Sequence, residues 1–294
     1  MTLSSGVAPV APDRQTGPGL DVGQLRALRR ARHDTEQIVA RVGQHLDRHD
    51  GYVAFSTGKD SLAVLHLARQ ADPNVPVVFF DSGLEYPETR SYLHELADAW
   101  NLNLHIVAAS PTLLELLVAS GAWDHDAPRR RVPHLGEVVI TAPAAVAHEA
   151  FGDGELWGVR AEESRGRRLK YLSELRAQTA MHCHGCCPRS VPPSREQRAR
   201  HGGVIERLDG TVAYGPIWDW TTGQVWSYLA THGIPLNPVY AKLRALGAPV
   251  QALRVSHALD GGRLELGQVT WLRRGWPALY AELARALPRL SEFL

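Results

Sequence analysis

Between residues 52 and 159 short apolar runs alternate with helical patterns, and one run, Val75-Pro76-Val77-Val78-Phe79-Phe80, is apolar without interruption. A parallel strand covered on both faces requires such a run, because neither side meets water. The spacing predicts strand 52–55, helix 61–71, strand 75–80, helix 88–100 and strand 103–107, then helices near 111–119 and 138–151 and strand 155–159. Strands alternating with helices imply an α/β fold: a doubly wound, mostly parallel sheet flanked by helices, whose ligands lie at the carboxyl ends of the strands.

With 294 residues the chain can bury one large α/β core with an appendage. Residues 1–20 are rich in Ser, Gly, Pro and Ala and read as a flexible tail, and 21–50 as an amphipathic helical segment. The α/β domain is expected over 51–245, and 246–294 as a helical C-terminal extension with Trp271, Trp276 and Leu279 in a core or interface. From 165 to 215 the composition turns to Arg, His, Cys and Pro, which reads as an excursion from the sheet, its Cys-rich part spanning 176–214. The net charge of +1 supplies no global attraction to nucleic acid, so any such contact would need a local patch, for which the basic segment 160–207 is the candidate. The first residues lack a signal-peptide pattern and no run reaches the ~20 apolar residues of a membrane span, so a cytoplasmic protein is expected, with no membrane partner.

Tyr52-Val53-Ala54-Phe55-Ser56-Thr57-Gly58-Lys59-Asp60-Ser61 is a strand, a tight turn and a helix start. The free amides and dipole of a first helical turn favour an anion. Gly58 allows close backbone approach, Ser56 and Ser61 offer hydroxyls and Lys59 a point charge. A Walker A loop is a poor match, since Asp60 stands where Ser or Thr should follow the lysine and Val53 replaces the first glycine. After the second predicted strand, Asp81 and Glu85 suit ribose, adenine or Mg²⁺, while turn and cap chemistry at Ser82-Gly83 and Pro87-Glu88 explains the segment nearly as well. After strand 155–159 come Gly158, Arg160, Ser164 and Arg165. Arginine at a strand end suits bidentate contact with phosphate, and Arg160 and Arg165 read as ligands where Arg167 and Arg168 read as surface. In 215–229 the tryptophans read as packing, Asp219 as a helix-start charge, and Thr221 with Gln224 as a capping box.

Ser-x-Gly-Lys-Asp-Ser resembles the PP-loop of adenine nucleotide α-hydrolase-like enzymes. The four segments in order, over roughly 50–245, resemble the phosphoadenylylsulfate (PAPS) reductase family of that superfamily. The resemblance implies an adenine nucleotide across the sheet edge, its phosphates on the loop Ser56, Thr57, Gly58, Lys59, Asp60 and Ser61. The acidic turn falls on Asp81, Ser82, Gly83 and Glu85, the Gly-x-Arg element on Gly158, Arg160, Ser164 and Arg165, and the Pro-Ile-x-Asp-Trp-Thr element on Pro216, Ile217, Asp219, Trp220 and Thr221. Two departures stand out. The family's late nucleophilic cysteine has no counterpart after Cys187, and the loop spelling is closer to ATP-using members such as sulfate adenylyltransferase and the sulfur-transfer enzymes of DNA phosphorothioation. Both favour ATP with Mg²⁺, cleaved between the α- and β-phosphates to adenylate an unknown acceptor in sulfur transfer or nucleic-acid modification. Lys59, Asp60, Arg160 and Arg165 would be the catalytic set. A reductase using a thiol of Cys183–Cys187, and a nucleotide-binding regulator in a DNA-associated assembly, remain as alternatives. A nucleic acid or sulfur-donor protein is a candidate partner, and a homo-oligomer is expected.

His182-Cys183-His184-Gly185-Cys186-Cys187 holds every cysteine of the chain. The spacing fits a zinc site on Cys183, Cys186, Cys187 and His184, an iron–sulfur cluster with one open iron, or reduced thiols of which one carries sulfur.

Overall fold

A computed structural model describes residues 22–182 and 192–294. The predicted tail 1–20, and Cys183, His184, Cys186 and Cys187 with their proposed metal or cluster, lie outside the described residues.

Helix α1 (Val22–His49) leads into β1 (Tyr52–Ala54), α2 (Lys59–Ala71), β2 (Pro76–Asp81), α3 (Pro87–Trp100), β3 (Asn103–Ala108) and α4 (Leu113–Ala119). A π turn over Glu137–Thr141 runs into α5 (Ala142–Phe151), followed by β4 (Gly154–Trp157), α6 (Arg165–His182), α7 (Arg195–His201), β5 (Val204–Glu206) and β6 (Val212–Tyr214). The C-terminal third adds α8 (Thr222–Thr231), α9 (Val239–Ala245), α10 (Gln268–Gly275) and α11 (Pro277–Ala286). The six strands lie in the order β3-β2-β1-β4-β6-β5; all neighbours are parallel except β5 against β6. Chain direction across the sheet reverses between β1 and β4, which opens a crevice at their carboxyl ends.

The unbroken apolar run resolves into two faces with period two. Val53, Val77 and Phe79 pack with α1, α2, α3 and α8, whereas Tyr52, Val78 and Phe80 pack with Ala147 and Phe151 of α5. A separate core joins Leu113 and Leu116 of α4, Val239 and Leu243 of α9, and the buried Trp271, Trp276 and Leu283. The 246–294 extension is therefore built into the fold through this core, with Leu279 packed at its margin.

The predicted elements recur with shifted ends, and two shifts shape the site. α2 begins at Lys59, two residues early, which puts Lys59 and Asp60 in its first turn. β4 stops at Trp157, which releases Gly158–Arg160 as a loop. One expectation is corrected. The segment 165–215 does not stay outside the sheet, since β5 and β6 rejoin it as its last two strands, β6 parallel to β4. Three-residue strands hemmed by Gly203, Gly210 and Gly215 are too short to show periodicity.

Candidate active site

The turn after β1 is tied internally. The Ser56 amide donates to Ser61 Oγ at 3.2 Å, the Ser56 and Ser61 hydroxyls are 3.0 Å apart, and Ser61 Oγ donates to the Gly58 carbonyl at 3.1 Å. The Lys59 amide donates to the Tyr240 hydroxyl at 2.9 Å. The Asp60 and Ser61 amides find no acceptor among the described residues, so α2 offers them to an anion. Thr57 is fully buried and left-handed at φ 59°, a strained backbone for a β-branched residue. Asn237 holds it there, donating from Nδ2 to Thr57 Oγ1 at 3.2 Å and Thr89 Oγ1 at 3.1 Å while accepting from the Val239 amide at 3.0 Å. Asn237→Ala strands these buried groups and should cost about 1–3 kcal/mol, read as a lower denaturation midpoint. An unchanged midpoint would show that Thr57 needs no clamp.

Gly158 brings β4 against the first turn of α2. A Cβ on it would sit 2.4 Å from the Ser61 nitrogen and 2.7 Å from the Asp60 carbonyl carbon. Two residues on, Arg160 is buried, and its Nε donates to Asp60 Oδ1 at 2.7 Å. Its Nη1 donates to Glu162 Oε2 at 2.8 Å and to the Trp220 carbonyl at 3.0 Å, and its Nη2 to Thr222 Oγ1 at 3.1 Å. One guanidinium thus ties the first turn of α2 to the loop after β4 and the start of α8. Burial alone would lower its pKa, but Asp60 and Glu162 outweigh that and raise it. Glu162, against burial that would raise it, is held low by Arg160 and Thr222.

These groups line a cleft of about 660 Å³, together with Trp226, Tyr240 and the segment 250–257 from the C-terminal extension. Each lysine and arginine on its wall pairs with a carboxylate on the same wall. Lys59 pairs with Asp60, Arg160 with Asp60 and Glu162, and Arg167 with Glu163, which Arg254 approaches to 4.0 Å. The cleft is charge-rich yet internally compensated.

Of the residues named from sequence, Ser56, Gly58, Lys59, Asp60, Ser61, Glu85, Gly158 and Arg160 line this cleft, and Thr57 buttresses it from beneath. Asp81, Ser82 and Gly83 stand at the β2 end outside the lining. Asp81 pairs with Arg90 at 3.1 Å and accepts from the Gly83 amide at 2.8 Å. Glu85 is not free to ligate a metal. Oε1 accepts from Ser82 Oγ at 2.7 Å, and Oε2 from the His257 amide at 3.2 Å. Arg165 and Asp219 are exposed and outside the lining, whereas Arg167, read from sequence as surface, belongs to it. Sequence reasoning gave no role to Glu162, Asn237, Tyr240, Arg254 or His257. The first three sit beside motif residues and were findable there; 250–257 carries no local signal.

Among the described residues no group of three or more His, Cys, Asp or Glu is placed to hold a metal, and no helix is long and apolar enough to cross a membrane. A Mg²⁺ accompanying a nucleotide needs less. Such ions keep water and phosphate oxygens and take one or two carboxylates. Asp60, beside the free amides of α2 and paired with Lys59 and Arg160, is the carboxylate of the turn that would take that part.

Sheet order, crevice and loop together define a PP-loop α/β protein. Residues 51–248 match the phosphoadenosine phosphosulfate reductase domain, and the chain belongs to that family. It is similar to the phosphoadenosine 5'-phosphosulfate reductase of Shigella flexneri, 28% identical over 270 residues that cover 90% of this chain and 89% of the relative. Among solved structures it is similar to a phosphoadenylyl-sulfate reductase from Candida auris in a phosphate complex (TM-score 0.42, 18% identity, 67% of this chain and 78% of that one). Another is the U34-tRNA thiolase NcsA of Methanococcus maripaludis with its [4Fe-4S] cluster (TM-score 0.45, 14% identity, 90% of this chain and 80% of that one).

Proposed function

We propose that the chain is an ATP-using PP-loop enzyme that cleaves between the α- and β-phosphates and adenylates an acceptor, in sulfur transfer or nucleic-acid modification. The compensated cleft carries this reading. A bare sulfate or phosphate meets cations already neutralised by carboxylates, with Asp60 in the anion-binding turn itself. With a triphosphate and its Mg²⁺ bound, Asp60 would face the ion through the oxygen that now pairs with Lys59, leaving Lys59 for phosphate oxygens while Arg160 keeps its hold on Asp60. When bound, the ion would neutralise charge growing on the leaving pyrophosphate. Lys59 and the Asp60 and Ser61 amides would hold the β- and γ-phosphates, and Arg160 would orient Asp60.

Lys59→Ala should abolish ATP binding measured calorimetrically, and with it AMP and pyrophosphate formation; wild-type affinity in that variant would remove the loop from the site. Similarity to PAPS reductases supports a second reading, reduction of a sulfonucleotide by a thiol of Cys183–Cys187. Sulfite released with thioredoxin, without ATP consumption, would establish the second reading over the first.

A further inference from the structure

The segment 250–257 lies beyond the matched family domain, which ends at 248, yet it crosses the phosphate loop. Arg254 reaches toward Glu163 on the β4 side, Val255 packs within 4.0 Å of the position a Cβ on Gly58 would take, and His257 meets Ser82 and Glu85 on the β2 side. Its path is enforced from behind. The buried Arg263 donates to the carbonyl of Ser256 at 3.0 Å and to that of His257 at 3.4 Å, and is itself paired with Asp260 at 3.2 Å. His257 is left-handed at φ 56°, an uncommon backbone for a histidine.

Hydrogen bonding selects the ring tautomer. A serine hydroxyl has one proton, and Ser82 gives it to Glu85 Oε1 at 2.7 Å. Ser82 Oγ therefore accepts from His257 Nδ1, 3.0 Å away, with Glu85 Oε1 at 3.4 Å from the same nitrogen. The neutral ring then carries its proton on Nδ1 and leaves Nε2 bare, with no partner among the described residues, on a side chain that lines the cleft and is 28% exposed. Burial would raise the Glu85 carboxyl, but the imidazole, the His257 amide and Ser82 hold it below its ordinary value, so it stays ionised behind the ring. A carboxylate behind Nδ1 steadies an imidazolium when Nε2 takes a proton.

We propose that His257 is the general base of this site, with Glu85 and Ser82 as its positioning residues. The inference rests on the adenylating reading above. The acceptor's attacking atom bonds to the α-phosphorus, the bond to the bridging oxygen breaks, pyrophosphate leaves with that electron pair, and the acceptor's proton passes to Nε2 and then to water. The balance is ATP plus protic acceptor to adenylated acceptor, pyrophosphate and a proton. A base is needed only when the attacking atom sheds a proton, so the acceptor is a hydroxyl or an amide rather than a carboxylate.

The test uses the full chain with ATP and Mg²⁺ and takes water as the protic probe, reading AMP and pyrophosphate. His257→Asn and His257→Gly both tolerate the left-handed backbone. Each should bind ATP as the wild type does while AMP formation falls about 10²–10⁴-fold, and added imidazole should restore His257→Gly by roughly tenfold or more. Glu85 and Ser82 meet the ring at Nδ1, and Arg263, paired with Asp260, holds the backbone carbonyl of His257. In Glu85→Gln the imidazolium loses the anion beside Nδ1, so AMP formation at saturating ATP should fall while ATP binding measured calorimetrically stays near that of the wild type. Nitrogen-15 spectra, assigned by the signal missing from His257→Asn, should show the proton on Nδ1. Wild-type turnover in His257→Asn, no imidazole rescue, or the proton on Nε2 would each overturn the inference while the adenylating reading stood. If the wild type neither binds ATP nor forms AMP, the reading itself fails and the inference with it.

Discussion

Arg160→Met should lower stability by about 3 kcal/mol and abolish nucleotide turnover, because removing one partner of a buried ion pair strands the other. The guanidinium side chain is only 3% exposed and satisfies Asp60, Glu162, the Trp220 carbonyl and Thr222 at once. Methionine fills much of the volume but satisfies none of them. The cost falls at the low end of the 3–5 kcal/mol typical of such losses, since Asp60 and the half-exposed Glu162 regain water. Function should suffer more. Asp60 would be left with Lys59 alone, and the start of α8 would be held to the loop after β4 only by the direct bonds from Thr222 to Glu162. Arg160→Lys keeps the charge but not the fork and should recover part of the stability with little of the turnover. Urea denaturation and calorimetric ATP titration measure both; an unchanged midpoint in Arg160→Met would show that the four contacts are replaceable by solvent.

The sheet was legible because burial on both faces forces a composition. Val77 and Phe79 serve one layer and Val78 and Phe80 the other, so no polar residue interrupts the run. The loop was legible because close approach to phosphate demands small residues at a helix start. Arg160 was legible as a ligand type but not as a connector, since its partners lie 60 and 100 residues away in sequence. Thr57 shows the limit sharply. Its left-handed backbone favours glycine, and only the long-range clamp from Asn237 makes threonine tenable there. Segment 250–257 was silent for the same reason. It is neither periodic nor glycine-rich, and Arg263, Leu84 and Glu85 place it by contacts that no local pattern encodes.

Gly158→Ala should be the most informative small change, weakening ATP binding by about 10²-fold and costing about 1–3 kcal/mol, the range for overpacking a tight contact. The glycine is not needed for backbone freedom, since its φ lies outside the left-handed range, so the penalty is steric. The added methyl would meet the Ser61 nitrogen at 2.4 Å, the Asp60 carbonyl carbon at 2.7 Å and the Ser61 Cα at 2.8 Å. All are backbone atoms of the first turn of α2, and none can rotate away as a side chain would. The helix start must therefore back off from β4. That motion carries the Ser61 hydroxyl away from Ser56 and Gly58, and Asp60 away from Arg160, so the amides that would hold the phosphates lose their aim. Gly166→Ala, on the following helix and with nothing nearer than 4.0 Å, supplies the control and should be neutral or slightly stabilising. Wild-type ATP affinity in Gly158→Ala would mean that the phosphate site does not depend on the first turn of α2.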